Sequence, residues 1–148
     1  MLGFQSRVER EMMELMGMYA EAAVVFIGLN VTGIEEDIVS DSIREEALVV
    51  LAQALIRCSK GEAITAYTGD DEFTVLFVTI GTSELKARAF VEQVKQQLKL
   101  QNIAEQLFTV DFSYGITTSI IDMDFRLEAK MEEAGRMMRE AREENGIK

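Results

Sequence analysis

Thr68-Gly69-Asp70-Asp71-Glu72-Phe73 sets three consecutive acids beside a glycine, between two short apolar runs. A glycine lets backbone approach a phosphate closely, and neighbouring carboxylates can share a divalent ion with it. The chemistry this stretch suggests is therefore phosphate binding through a metal ion. A plain hairpin is the competing reading, because Asp and Gly are good turn formers and need no function to be there.

Composition narrows what else such a site can draw on. The 148 residues contain no His, which removes the commonest general base and the commonest zinc ligand, so any chemistry runs on carboxylates. A net charge of −11 argues against a nucleic-acid or anionic-membrane surface, since both need clustered Lys or Arg. A bound nucleotide would need local help from a metal, a helix N-terminus or an arginine. With 48% hydrophobic residues and a mean hydropathy of +0.05, the chain reads as one globular domain over residues 1–148. No apolar run approaches the roughly 20 residues that span a bilayer, and no signal pattern opens the chain; direct membrane insertion is not expected. The single Cys58 excludes an internal disulfide and fits a reducing, cytoplasmic setting. Zero Pro and nine Met predict long regular elements and an adaptable core.

The elements that must position the acids follow from periodicity. Met12, Leu15, Met16 and Tyr19 recur at helical spacing, predicting an amphipathic helix over residues 4–19 whose Met stripe serves packing or a partner. Residues 22–29 (AAVVFIGL) form a short, continuous apolar run with β-branched residues at its middle, which fits a central strand buried on both faces. Residues 31–40 read as a loop punctuated by Thr32-Gly33, and the acids Glu35, Glu36 and Asp37 as a solvated helix start rather than a metal site. Asp41-Ser42 caps a helix whose apolar face is Ile43, Ala47, Leu48, Leu51, Ala54 and Leu55, ended by Ser59-Lys60-Gly61. Strands are predicted over 63–67 and 73–80, joined by the acidic turn. A helix over 84–99 follows, with Ser83 as its cap. Alternation of Val110, Phe112, Tyr114 and Ile116 with polar residues predicts a half-exposed strand. A last helix over 125–144 carries Leu127, Met131, Ala134, Met138 and Ala141. The pattern is α+β, a mainly antiparallel central sheet flanked by helices.

Strand, helix, then a hairpin carrying Gly69-Asp70-Asp71-Glu72-Phe73 resembles the GGDEF domain of bacterial diguanylate cyclases, which join two GTP molecules into cyclic di-GMP. The likeness covers essentially the whole chain. Met1-Leu2-Gly3-Phe4-Gln5-Ser6-Arg7 resembles the family opening L-T-G-L-x-N-R. Phe26-Ile27-Gly28-Leu29-Asn30 falls on F-I-D-x-D, and Arg44-Glu45-Glu46-Ala47-Leu48 with Ala52 and Leu55 on the G-D-x-L-L-x-x-x-A-x-x-L helix. Asp111-Phe112-Ser113-Tyr114-Gly115 resembles a strand ending T-x-S-x-G, and residues 134–142 resemble the closing A-D-x-A-L-Y-x-A-K.

The resemblance implies a nucleotide-cyclase-like fold, and its departures imply altered chemistry. The first aspartate of F-I-D-x-D and the third signature residue bind the divalent metals in the family; here they are Gly28 and Asp71. Asp70 replaces the second signature glycine. Glu36 and Glu45 fall on the guanine-reading positions, where an amide gives way to a group that only accepts. Arg142 replaces a phosphate-contacting lysine, and the closing G-R-N becomes Asn145-Gly146-Ile147. The product-inhibition motif R-x-x-D corresponds to Lys60-Gly61-Glu62-Ala63, without arginine's planar fork and without an acceptor at its end.

The resulting expectation is a degenerate, catalytically inactive GGDEF domain in cyclic di-GMP signalling, acting through an unnamed protein partner, with a homodimer possible. Residues 69–73 are a vestigial signature, with no catalytic residue, no metal and no cofactor expected. Should nucleotide binding persist, Gly69, Asp71, Glu72, Glu45 and Arg142 would carry it, with Mg²⁺ held by Asp71 and Glu72. Reception of cyclic di-GMP is the weaker alternative. The chain begins where such domains begin, as expected of either an excised module or a stand-alone remnant.

Overall fold

An uninterrupted apolar run is buried on both faces only inside a sheet with layers on either side. Residues 22–29 achieve this as the middle of β1 (Glu21–Gly33), flanked by β3 (Glu72–Thr79) and β4 (Phe108–Ile120). The structure, a computed structural model, describes residues 20–33, 41–104 and 108–144. The helix expected over residues 4–19, the acids Glu35, Glu36 and Asp37, and the closing Asn145-Gly146-Ile147 lie outside the described residues. The other described elements are α1 (Asp41–Ser59), β2 (Ile64–Gly69), α2 (Ser83–Ala104) and α3 (Leu127–Glu144). The sheet runs β2-β3-β1-β4 with every pair antiparallel, the α+β architecture the periodicity predicts.

Alternate residues of β1 serve two cores. Ala23, Val25, Ile27 and Leu29 meet Leu51 and Leu55 of α1, Val94 of α2, and Phe77 and Phe112 of the sheet. Ala22, Val24 and Phe26 meet Leu76 and, from α3, Ala134 and Met138. Each fully buried Leu, Ile or Phe contributes about 1.5–3 kcal/mol of transfer free energy, and α1 and α2 share one face while α3 covers the other.

Several boundaries differ from those predicted. Val31, Thr32 and Gly33 are strand rather than loop, because β4 supplies them partners in Val110, Thr109 and Phe108. β4 itself extends beyond its alternating middle in both directions, since a long partner rewards pairing where side-chain pattern is silent. Phe125 precedes α3 rather than opening it, its N–H held by the Asp122 carbonyl at 3.2 Å. Ser83 does not cap α2: its hydroxyl turns back to the Glu21 carbonyl at 2.5 Å and the Thr79 hydroxyl at 2.7 Å. The Glu21 carboxylate takes over, accepting from the Glu84 N–H at 3.2 Å.

α2 runs past residue 99 because its last turn has a task on the sheet edge. Asn102 grips the backbone of Val110, donating to its carbonyl at 2.9 Å and accepting from its N–H at 3.0 Å. One step along, Lys95 donates to the Phe112 carbonyl at 2.5 Å and to Asp111 at 2.7 Å. Side chains thus close the first half of an edge strand against unwanted pairing.

α3 lies directly on β4 at Gly115. A Cβ there would overlap the Ala134 carbonyl oxygen and stand 2.6 Å from Met137 Cβ and 2.8 Å from the Met138 nitrogen. Two of these three atoms are helix backbone, which cannot swing aside. Gly115→Ala is therefore expected to destabilise the fold by about 1–3 kcal/mol through overpacking, read as a lower urea midpoint at unchanged slope.

Candidate functional site

β2 and β3 are joined by Asp70 and Asp71 alone. Glu72 is the first residue of β3, paired with Gly69 on one side and Gly28 on the other, and not a turn residue as its neighbours in sequence suggest. Asp70 and Asp71 have φ of 55° and 61°, after Gly69 at 92°. Two central residues with positive φ mark a type I′ connection, whose twist matches that of the strands it joins. Asp is one of the few residues besides glycine that enters this region readily. Two hydrogen bonds lock the turn in place: the Leu29 N–H donates to the Asp71 carbonyl at 2.9 Å, and the Thr68 hydroxyl to the Glu72 carbonyl at 3.2 Å.

The acids do not converge on one point. Asp71 turns toward α1, where Arg44 Nη1 donates to Oδ2 at 2.9 Å across a partly exposed gap. Such a pair is worth about 0–1 kcal/mol. Glu72 has the register of the α3 face. Burial pushes its carboxyl above the ordinary 4.5, opposed by the charges of Arg139 and Arg142 and reinforced by Asp70 and Asp71.

Across β1, Gly28 pairs with both Glu72 and Ser113. Its missing side chain leaves room that α3 fills. A Cβ there would overlap Arg142 Nη2 and stand 2.7 Å from Met138 Sδ. Arg142 Nη2 donates to the Leu29 carbonyl at 3.3 Å. Asn30 is likewise used up by its surroundings. With Oδ1 toward Ser113 it accepts from that residue's N–H at 3.1 Å and hydroxyl at 2.9 Å, and Nδ2 donates to the Leu29 carbonyl at 3.1 Å.

Of the residues singled out from sequence, Gly69, Asp71, Glu72 and Arg142 come together at one end of the sheet. Glu45 is an exposed residue of α1, following the arginine that reaches Asp71. Lys60 and Gly61, with φ of 52° and 77°, form the turn that ends α1, and Ala63 packs against the core. Arg44 and Arg139 lie inside stretches that match family motifs, yet the motifs assign neither a role at the site. Arg139 lies three residues before Arg142, the spacing that puts both on one helix face. Two surface grooves, of about 490 and 360 Å³, lie along β4, and neither is lined by the turn. Among the described residues no group of three or more His, Cys, Asp or Glu is placed to hold a metal ion, and no helix is long and apolar enough to cross a membrane.

The family model described as diguanylate cyclase, GGDEF domain, matches residues 3–147. The chain belongs to the GGDEF family. Solved GGDEF structures share its fold. The GGDEF domain of DgcB from Caulobacter crescentus, in complex with c-di-GMP, is 14% identical over 97% of this chain and 84% of that one, with a TM-score of 0.73. SiaD of Pseudomonas aeruginosa, a diguanylate cyclase in complex with its activator SiaC, is 14% identical over 94% of this chain and 53% of that one, at 0.74. The active GGEEF domain of a Vibrio cholerae diguanylate cyclase is 14% identical over 96% of this chain and 85% of that one, at 0.63. No curated protein sequence matches. At these identities the likeness establishes the GGDEF fold and leaves the chemistry to the site's own residues.

Glu72 gives this site a pH signature. Its carboxyl is raised from 4.5 in the folded state, so folding favours the protonated form. That contribution is full below 4.5 and is lost as the pH rises through the raised value. Glu72→Gln removes the ionisation. Its stability advantage over wild type is therefore expected to grow between about pH 4 and about pH 7 in paired urea melts. An advantage that shrinks over that range would contradict desolvation as the dominant cause.

Proposed function

We propose that this GGDEF domain is a catalytically inactive signalling or scaffolding module of the cytoplasm that works through protein contacts. The observation that carries the reading is Gly28. Two-metal phosphoryl transfer needs converging oxygen ligands from both strands, and the strand position facing Glu72 has no side-chain oxygen and is filled by an arginine. Asp71 is engaged by Arg44, and burial disfavours ionised Glu72. This donor set does not fit a divalent ion.

Loss of product sensing goes with loss of synthesis. Lys60 sits in a tight left-handed turn and Ala63 stands where the R-x-x-D motif has its terminal acceptor, a poor cradle for a guanine edge and phosphate. Protein contact as the remaining role is supported by SiaD, a GGDEF-fold protein whose structure was solved with an activator bound. Exposed Met123 (85%) and Ile120 (60%), where β4 ends, offer apolar surface for a partner or a second copy of the chain.

A second reading, regulatory nucleotide binding without turnover, is favoured by Arg139 and Arg142 beside the turn. Incubation of the purified protein with GTP and Mg²⁺ or Mn²⁺ is expected to yield no cyclic di-GMP by chromatography; formation at ordinary cyclase rates would refute inactivity. Calorimetric titration with GTP and Mg²⁺ is expected to show no binding up to about 1 mM. Heat and a matching thermal shift in that range would select the nucleotide-binding reading instead.

A further inference from the structure

The group lodged above Gly28 decides which cation the turn can hold. We infer that Arg142 is the resident cation of this site: its guanidinium stands in the space between β1 and the acids of the turn that a divalent ion would have to enter. The inference goes beyond inactivity, since it concerns what fills the site rather than what the site turns over.

Three observations support it. The guanidinium is seated, with Nη2 donating to the Leu29 carbonyl at 3.3 Å. Met138, fully buried, forms the floor, so the space above Gly28 is occupied from below as well as from the side. Arg142 also belongs to the last turn of α3, where the helix's terminal carbonyls favour a positive charge. An ion placed here would meet a fixed like charge before it met an oxygen ligand. The acids have their counter-charges inside the fold: Asp71 pairs with Arg44, and Arg139 and Arg142 act on Glu72.

A carboxylate restored at residue 28 would therefore pair with Arg142 rather than recruit a metal. The test uses the full chain and Mn²⁺ alone, with free ion followed by electron paramagnetic resonance. Wild type and Gly28→Asp are expected to leave Mn²⁺ free to about 1 mM, while Gly28→Asp with Arg142→Met binds at least about tenfold more tightly. Gly28→Asp with Arg136→Met carries the same charge change at an exposed position of α3 and is expected to behave like Gly28→Asp alone. Binding by wild type, or equal binding by the Arg136 and Arg142 double variants, would overturn the inference. If Asp at residue 28 prevents folding, the single variants decide: Arg142→Met is expected to lower the melting temperature by several degrees more than Arg136→Met, because only Arg142 is seated on the Leu29 carbonyl above Gly28. An equal loss in the two variants would overturn the inference as well.

Discussion

The closeness of α3 to the sheet is the constraint on which the rest depends. Ala134, Met138 and Arg142 are spaced four residues apart and so form one stripe along the helix. Beneath that stripe the sheet presents Gly115 and Gly28, each without the Cβ that would hold the helix away. Ala134 and Met138 are fully buried as a result, and Phe26 and Val24 of β1 are covered. An ordinary side chain at either glycine would have to displace helix backbone at one end or a methionine and an arginine at the other.

That packing also determines the electrostatics of the turn. A helix seated this low delivers the last member of its stripe to the strand end where Leu29 and Asp71 are bonded. Arg142 then finds a carbonyl instead of solvent. Its charge, with that of Arg139, offsets part of the cost of partly burying Glu72. Arg44 pairs with Asp71 from the opposite layer, so both acids are answered from within the fold. The same fold is found in an active GGEEF domain, which means that architecture alone does not distinguish a working site from a silent one. The distinction has to lie in which side chains project between β1 and β3.

Most of this frame was legible in the sequence. The run at residues 22–29 fits an interior strand, and the apolar faces of α1 and α3 follow from helical spacing. What escaped were features set by partners far along the chain. Val31, Thr32 and Gly33 have loop-like residue types, yet β4 extends them as strand. Ser83 has the residue type of a cap, but its hydroxyl is drawn to the Glu21 carbonyl, to which it donates, and to the Thr79 hydroxyl. Arg44 carries no signal of its role, because its contact to Asp71 spans two elements. Gly28 was visible as a missing carboxylate; that an arginine fills the gap is a fact of packing and not of spacing.

The acids of the signature are explained by the backbone they sit on. A type I′ connection between twisted antiparallel strands demands positive φ at both central positions, and Asp70 and Asp71 both comply. Gly, Asn and Asp are the residues that meet this demand with little strain. The hairpin alone is therefore sufficient reason for Asp at both positions, with no metal needed to explain them. Glu72 is under no such demand, being an ordinary strand residue whose ionisation the fold disfavours. The acids of Gly69-Asp70-Asp71 thus suit the geometry of the β2–β3 hairpin, whereas the packing of Arg142 over Gly28 is required by no turn and sets what stands beside it.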